Sequence, residues 1–156
     1  VASAEILDNT VQSSDVLNNS LQDVDILDEP GVEFASGDQL LTLTSTPVSA
    51  RAISLTAPTS GYVIVNASGY FDLNDATRDG ARCSITNGAT AIDFSHLVIV
   101  SDDGINSSTS WVPFATTRVY SVGSGTTTYR LVCDEFDGNV QVGDTSLNAI
   151  FVPTRY

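Results

Sequence analysis

The 156-residue sequence contains no lysine and no methionine, only one histidine and one tryptophan, and just two cysteines. Its six basic residues are all arginine, and none precedes Arg51, whereas residues 1–33 carry eight acidic side chains. With a formal net charge of −13, the chain lacks the basic stripe that phosphate backbones require, which argues against nucleic acid as a partner. Anionic membrane surfaces are disfavoured for the same reason. No apolar run approaches the ~20 residues of a membrane-spanning helix, so membrane insertion is not expected. The opening VASAEILDN has neither the basic region nor the apolar stretch of a signal peptide. Without methionine, the sequence reads as a mature chain or a piece of a longer protein. The chemistry of common catalytic motifs is missing too: there is no GxSxG elbow, no HExxH helix and no glycine-rich phosphate loop.

What is present divides into two segments. Residues 1–30 repeat with a period of ten, ILDNTVQSSD aligning with VLNNSLQDVD and then ILDEP. Read as a helix, Leu7, Val11, Ser14, Leu17, Leu21, Val24 and Leu27 form a narrow apolar seam. A decad is a heptad plus three residues, the insertion that overwinds a coiled coil. Helix propensity along this segment is poor, so it makes sense only as one strand of an oligomer. The expectation is an oligomerisation stalk with Leu7, Val11, Leu17, Leu21, Val24 and Leu27 at its interface. Two other readings stay open. Val1, Ile6, Val11, Val16, Leu21 and Ile26 fall on a five-residue beat that also suits an extended or β form, and an irregular linker fits the composition. The acidic flanks offer no cation to pair across chains, so a bundle should gain stability with salt or a divalent ion.

From residue 31 onward the pattern is β throughout, alternating or β-branched runs broken by turns such as DGA, DDG, GSG, DGN and VGD. Candidate strands are 32–35, 40–45, 52–57, 62–71, 81–86, 96–100, 111–114, 117–122, 127–134 and 147–153. That many short strands in about 125 residues predict a mainly β domain over 31–156, a jelly roll or β-sandwich. Cys83 and Cys133 both fall on apolar alternation faces, Cys83 with Ala81 and Ile85, Cys133 with Tyr129 and Leu131. Two readings follow: a disulfide between neighbouring strands in an oxidising compartment, or two buried thiols.

Three places hold chemistry-bearing residues. The segment DLNDATRDG supplies Asp72, Asn74, Asp75 and Asp79, hard oxygen donors of the type calcium takes, although the spacing is not that of an EF-hand and a solvated turn explains it as well. Calcium is the one cofactor considered, and none is required. SDDGINSSTSWVPF carries the lone Trp111 beside Asp102, Asp103 and Asn106, a combination suited to stacking a sugar ring and holding its hydroxyls. The competing reading sends Trp111, Val112 and Phe114 into the core. His96, in DFSHLVIV, reads as a structural or interfacial histidine. A Ser–His–Asp reading would recruit Asp93 or Ser95, both on the opposite face of a strand from His96, and a pH- or metal-sensitive site on a trimer axis is the remaining alternative. Asp102-Asp103-Gly104 and Asp134-Glu135 with Asp137 read as turn formers. The sequons at Asn18, Asn66 and Asn106 read as chance.

APTSGYVIVNASGYFDL, TTTYRLVCD and the closing SLNAIFVPTRY resemble the strand grammar of C1q/TNF-like heads, over residues 32–156. That resemblance implies a jelly roll that trimerises through apolar faces on a trimeric stalk. Bacterial and phage fibre tips are similar in layout. It also implies a subunit interface near the closing strands, for which Tyr120, Tyr129, Phe151 and Tyr156 are candidates. The expected function is that of an extracellular or cell-surface homotrimer, non-enzymatic, displaying a head to a glycan or surface protein. A purely structural trimerisation cap and a polysaccharide-degrading domain are the alternatives.

Overall fold

The structure is a computed structural model, in which residues 31–73, 78–102 and 110–153 are described. The expected stalk, with its seam from Leu7 to Leu27, lies outside the described residues, as do Asn74, Asp75, Asp103, Asn106 and Tyr156. Nine strands are described: β1 (Val32–Gly37), β2 (Leu41–Thr42), β3 (Val48–Ala57), β4 (Gly61–Leu73), β5 (Gly80–Asn87), β6 (Val98–Ser101), β7 (Ser110–Val122), β8 (Gly125–Asp137) and β9 (Val140–Pro153).

The strands form two antiparallel sheets. One has the order β1-β9-β4-β7, with β2 also on β9; the other is β3-β8-β5-β6. The connectivity is that of one long hairpin rolled over on itself. Strand β1 pairs with β9, β3 with β8, β4 with β7 and β5 with β6, and the contacts of β9 with β4 and of β8 with β5 complete the sheets. The chain crosses between the sheets at every connection except β1 to β2 and β5 to β6, the alternation that jelly-roll sandwiches share. The expectation of a mainly β two-sheet sandwich therefore holds.

Alternation explains which side of each strand is buried. In β4, Gly61, Val63, Val65 and Ala67 are buried while Tyr62 and Ser68 are exposed, a period-two pattern that lays one face on the core. Phe71 and Leu73 extend that row, and Leu131, Tyr129, Ile85, Leu147, Ala149 and Phe151 meet it from the neighbouring strands and the opposite sheet. Tyr129 and Phe151 are fully enclosed in this core, and Tyr120 is half-buried with its hydroxyl donating to the Ile85 carbonyl at 2.8 Å. None of the three is therefore available as an aromatic interface, because their positions in β7, β8 and β9 alternate inward. Burial pushes the Tyr120 phenol up to about 12.

Cys83 and Cys133 face each other directly across β5 and β8 and form a disulfide with a Cα–Cα distance of 4.1 Å. Both are wholly buried.

Several strand boundaries differ from the sequence reading. Runs 111–114 and 117–122 are one continuous strand, β7. It lies at a sheet edge, where Pro113 removes no ladder donor that an inner strand would need. The VGD expected as a turn lies inside β9. Two residues, Asp144 and Thr145, oppose Gly69 alone there, making a β-bulge with Asp144 at φ 45°. Residues 40–45 contribute only the two-residue β2.

The exposed edge of β7 is covered by the segment between β5 and β6. His96 Nε2 donates to the Thr117 carbonyl at 3.0 Å. The ring's other nitrogen, Nδ1, is buried without a hydrogen-bond partner. Arg118 bridges to Asp93 at 2.6 Å and donates to the Ile85 carbonyl at 2.8 Å. Capping the edge in this way blocks pairing with further strands.

Candidate functional site

The outer face of the five-stranded sheet is zoned along the strands. Alternation puts Tyr62, Ile64, Asn66, Ser68, Tyr70 and Asp72 of β4 on this face. Their cross-strand partners are Ser121, Val119, Thr117, Ala115, Pro113 and Trp111 of β7. The first zone is apolar. Ile64 lies between Val119 and Ile150, Val32 continues that row on β1, Val152 adjoins it on β9, and Phe34 stands next to Val32's row on β1, opposite Asn148. Phe34 is 74% exposed, Val32 62% and Val119 56%. The middle zone is polar: Asn66 Nδ2 donates to Asn148 Oδ1 at 3.0 Å, and the Thr117 hydroxyl donates to Asn66 Oδ1 at 2.7 Å.

The third zone combines aromatic and acidic groups. Asp72 lies directly between Trp111 on β7 and Gln141 on β9, and Tyr70 is two residues back on the same face. Tyr70 and Trp111 pack at 5.7 Å between ring centroids with a 36° tilt. Tyr70 lies so closely over Gly143 that a Cβ there would meet its phenol at 2.7 Å. Trp111 is 70% exposed, so it is a surface platform and not a core residue; Phe114 takes the core position and Val112 is half-buried. Asp72 is only 7% exposed, and its Oδ1 is buried with no hydrogen-bond partner. Burial, with the carboxylates of Asp144 and Asp72 nearby, raises the Tyr70 phenol above its ordinary value. From Ile64 to Asp72 is eight residues of strand, about 26 Å at ~3.3 Å each, so this corner is distinct from the apolar zone.

The other expected site residues have different surroundings. Asp79 is fully buried. Its Oδ1 accepts from the Asn139 N–H at 2.8 Å, and its own N–H donates to Asp102 Oδ1 at 2.9 Å. The Asp102 N–H returns a bond to the Asp79 carbonyl at 3.0 Å. These two acids therefore tie together the turns that precede β5, follow β6 and link β8 to β9. Among the described residues, no three His, Cys, Asp or Glu side chains gather as a metal site. Asp93 accepts from the Ser95 hydroxyl at 2.6 Å and from the Ser95 N–H at 3.0 Å. With Arg118 also on it, this carboxyl is engaged away from His96.

Sequence reasoning found Trp111 and Asp72 but placed them in two separate sites, and it missed Tyr70, Gln141 and Asp144. Tyr70 was legible, since β4 alternation puts it with Asp72. The β9 residues were not, because the bulge at Asp144 hides the strand behind a turn-like VGD.

No protein-family model matches the chain, and no curated protein matches it. Among solved structures, a chain of "Structure of infectious bursal disease virus Gx strain" is similar at a TM-score of 0.48 and 14% identity, with 85% of this chain covered. The match takes in 35% of that chain, so this protein corresponds to about a third of its length.

Proposed function

We propose that this protein is a non-enzymatic, homotrimeric surface or fibre-tip module, C1q/TNF-like in layout, which displays its β head for recognition of a protein or glycan. The observation that carries this reading is the apolar zone of the outer sheet face, in which Phe34, Val32 and Val119 are more than half exposed beside Ile64, Ile150 and Val152. Contiguous apolar surface of this kind marks an interface, and a second and third copy of the chain are its occupants. Val32, the first residue of β1, lies in that zone and is two residues beyond Pro30 in sequence. In sequence, the apolar seam expected from Leu7 to Leu27 ends five residues before Val32. The Cys83–Cys133 bond supports an oxidising, extracellular or cell-surface setting.

Light scattering tests the reading. The full chain should have a mass near three times 16.4 kDa. A Phe34→Asp, Val119→Asp variant should lose that mass or dissociate at lower concentration. A chain starting at Gly31 reports whether the head alone holds the assembly. A wild-type monomer refutes the proposal, and an unchanged mass in the double variant removes the sheet face from the interface.

A further inference from the structure

We propose that the corner formed by Asp72, Trp111 and Tyr70 receives a cationic group, the guanidinium or ammonium of a basic side chain on a partner protein. The inference deepens the recognition reading above by naming what is recognised, and its test does not depend on the assembly's mass.

The molecule contains the same arrangement twice with its cation supplied. Arg82 donates from Nε to Asp134 Oδ1 at 2.8 Å and from its terminal nitrogen to Oδ2 at 3.0 Å. Its guanidinium also sits 4.6 Å from the Phe94 ring centroid and 5.6 Å from that of Phe136. Arg118 likewise pairs with Asp93 and lies 4.9 Å over the Tyr120 ring. A carboxylate beside aromatic faces suits a guanidinium, because the ring quadrupole and the anion attract the same charge. At the third corner the carboxylate and two aromatic rings are present, but among the described residues no ion pair joins an arginine to Asp72: the pairs there are Arg78 with Asp137, Arg82 with Asp134 and Arg118 with Asp93.

Two further features favour a cation over a neutral sugar. A buried carboxylate oxygen without a donor is a rare and costly feature of a folded protein, and a positively charged donor relieves it most fully. Asp144, close enough to raise the Tyr70 phenol alongside Asp72, adds a second negative charge. The molecule's net charge of −13 draws cations toward its surface as a whole. Because Asp72 Oδ1 is shielded, a donor reaches it only if a covering side chain turns aside. Trp111, exposed on an edge strand and directly across from Asp72, is placed to do so.

Trp111 is the sole tryptophan, so fluorescence excited selectively beyond the absorption of the five tyrosines reports on this corner. The full chain is titrated with N-acetyl-arginine methylamide and, separately, with methyl α-mannoside. The expected result is a saturable change with the arginine probe, weakened severalfold between 0.05 and 0.5 M salt, and weakened at least tenfold in Asp72→Asn. Asp72→Asn should unfold at the same temperature as wild type or higher, since it removes a buried unpaired charge. Trp111→Ala, at an exposed position, should lose arginine-probe binding measured by calorimetry. No response to the arginine probe overturns the proposal. So does an arginine response unchanged in Asp72→Asn, or retained binding in Trp111→Ala. A response to the mannoside alone also overturns it and makes the corner a sugar platform, leaving the recognition reading intact. A drop of several degrees in Asp72→Asn overturns it by making Asp72 a structural group.

Discussion

Removing the Cys83–Cys133 bond with Cys83→Ala and Cys133→Ala should cost the head about 4 kcal/mol. The bond closes a loop of 50 residues. The loop-entropy relation gives about 14 cal/mol/K for a loop of that length, or about 4 kcal/mol at 25 °C. Truncating two fully buried sulfurs adds a void in the sheet-to-sheet core, so the sign of the packing term is the same. For a domain of this size the loss corresponds to roughly 10–20 °C in melting temperature. Calorimetry on the wild type and the double variant measures it. A thiol count on the denatured wild type should find no free cysteine without reductant. In the native protein a mild reductant should leave the bond intact, because neither sulfur is reachable until the sandwich opens. A loss under about 1 kcal/mol would refute the entropic argument, and two free thiols in the denatured wild type would refute the bond itself.

Two other consequences follow from single positions. Gly138 and Gly88 both have left-handed φ, at 76° and 85°, but only Gly138 is crowded: an added Cβ would overlap the Asp79 carboxylate and the Arg78 carbonyl. Gly138→Ala should therefore destabilise by at least about 2 kcal/mol, against about 1 kcal/mol for Gly88→Ala, where nothing lies near; equal urea midpoints would contradict this. The Ser95 hydroxyl and N–H, with Arg118, hold the Asp93 carboxyl down to about 2. A depressed folded-state value contributes stability that is complete above the ordinary value of 3.8 and disappears as pH falls through about 2. Asp93→Asn should accordingly be less stable than wild type at pH 7 and lose less stability between pH 4 and pH 2, as read from urea midpoints across that range.

Much of the fold was legible because period-two alternation is a direct consequence of one-sided burial. Val63, Val65 and Ala67 face in and Tyr62 faces out whatever the topology. The inward faces of Cys83 and Cys133 were legible for the same reason, but their pairing was not, since it depends on the register between β5 and β8. What alternation does not encode is where a strand bends. The bulge at Asp144 resembles a turn in sequence, so the first half of β9 was missed, and with it the row that sets Gln141 beside Asp72. Asp79 was read as a solvated or metal-ligating acid because its partners are backbone N–H groups of a distant turn, which no composition rule reveals. Trp111 had two readings in the sequence, and its place opposite Asp72 decides for the exposed one.

The zoning of the outer sheet face links these observations to the proposed function. A sheet that used its whole outer face for self-association would not need the polar row of Asn66, Asn148 and Thr117, whose side chains satisfy one another within the chain. That row separates the apolar end, where β1 begins, from the aromatic and acidic end, where β4 ends and β7 begins. Placing self-association at one end leaves the other unobstructed, so that a trimer would present three copies of the Asp72 corner together. If each copy binds a single basic side chain only weakly, as one charge pair and one stacked ring predict, then useful affinity must come from simultaneous engagement of all three. The monomeric Phe34→Asp, Val119→Asp variant should therefore bind the small arginine probe as well as wild type does. It should bind a surface densely displaying arginine far more weakly. Equal binding of both variants to such a surface would show that the corner acts singly and that the assembly serves another purpose.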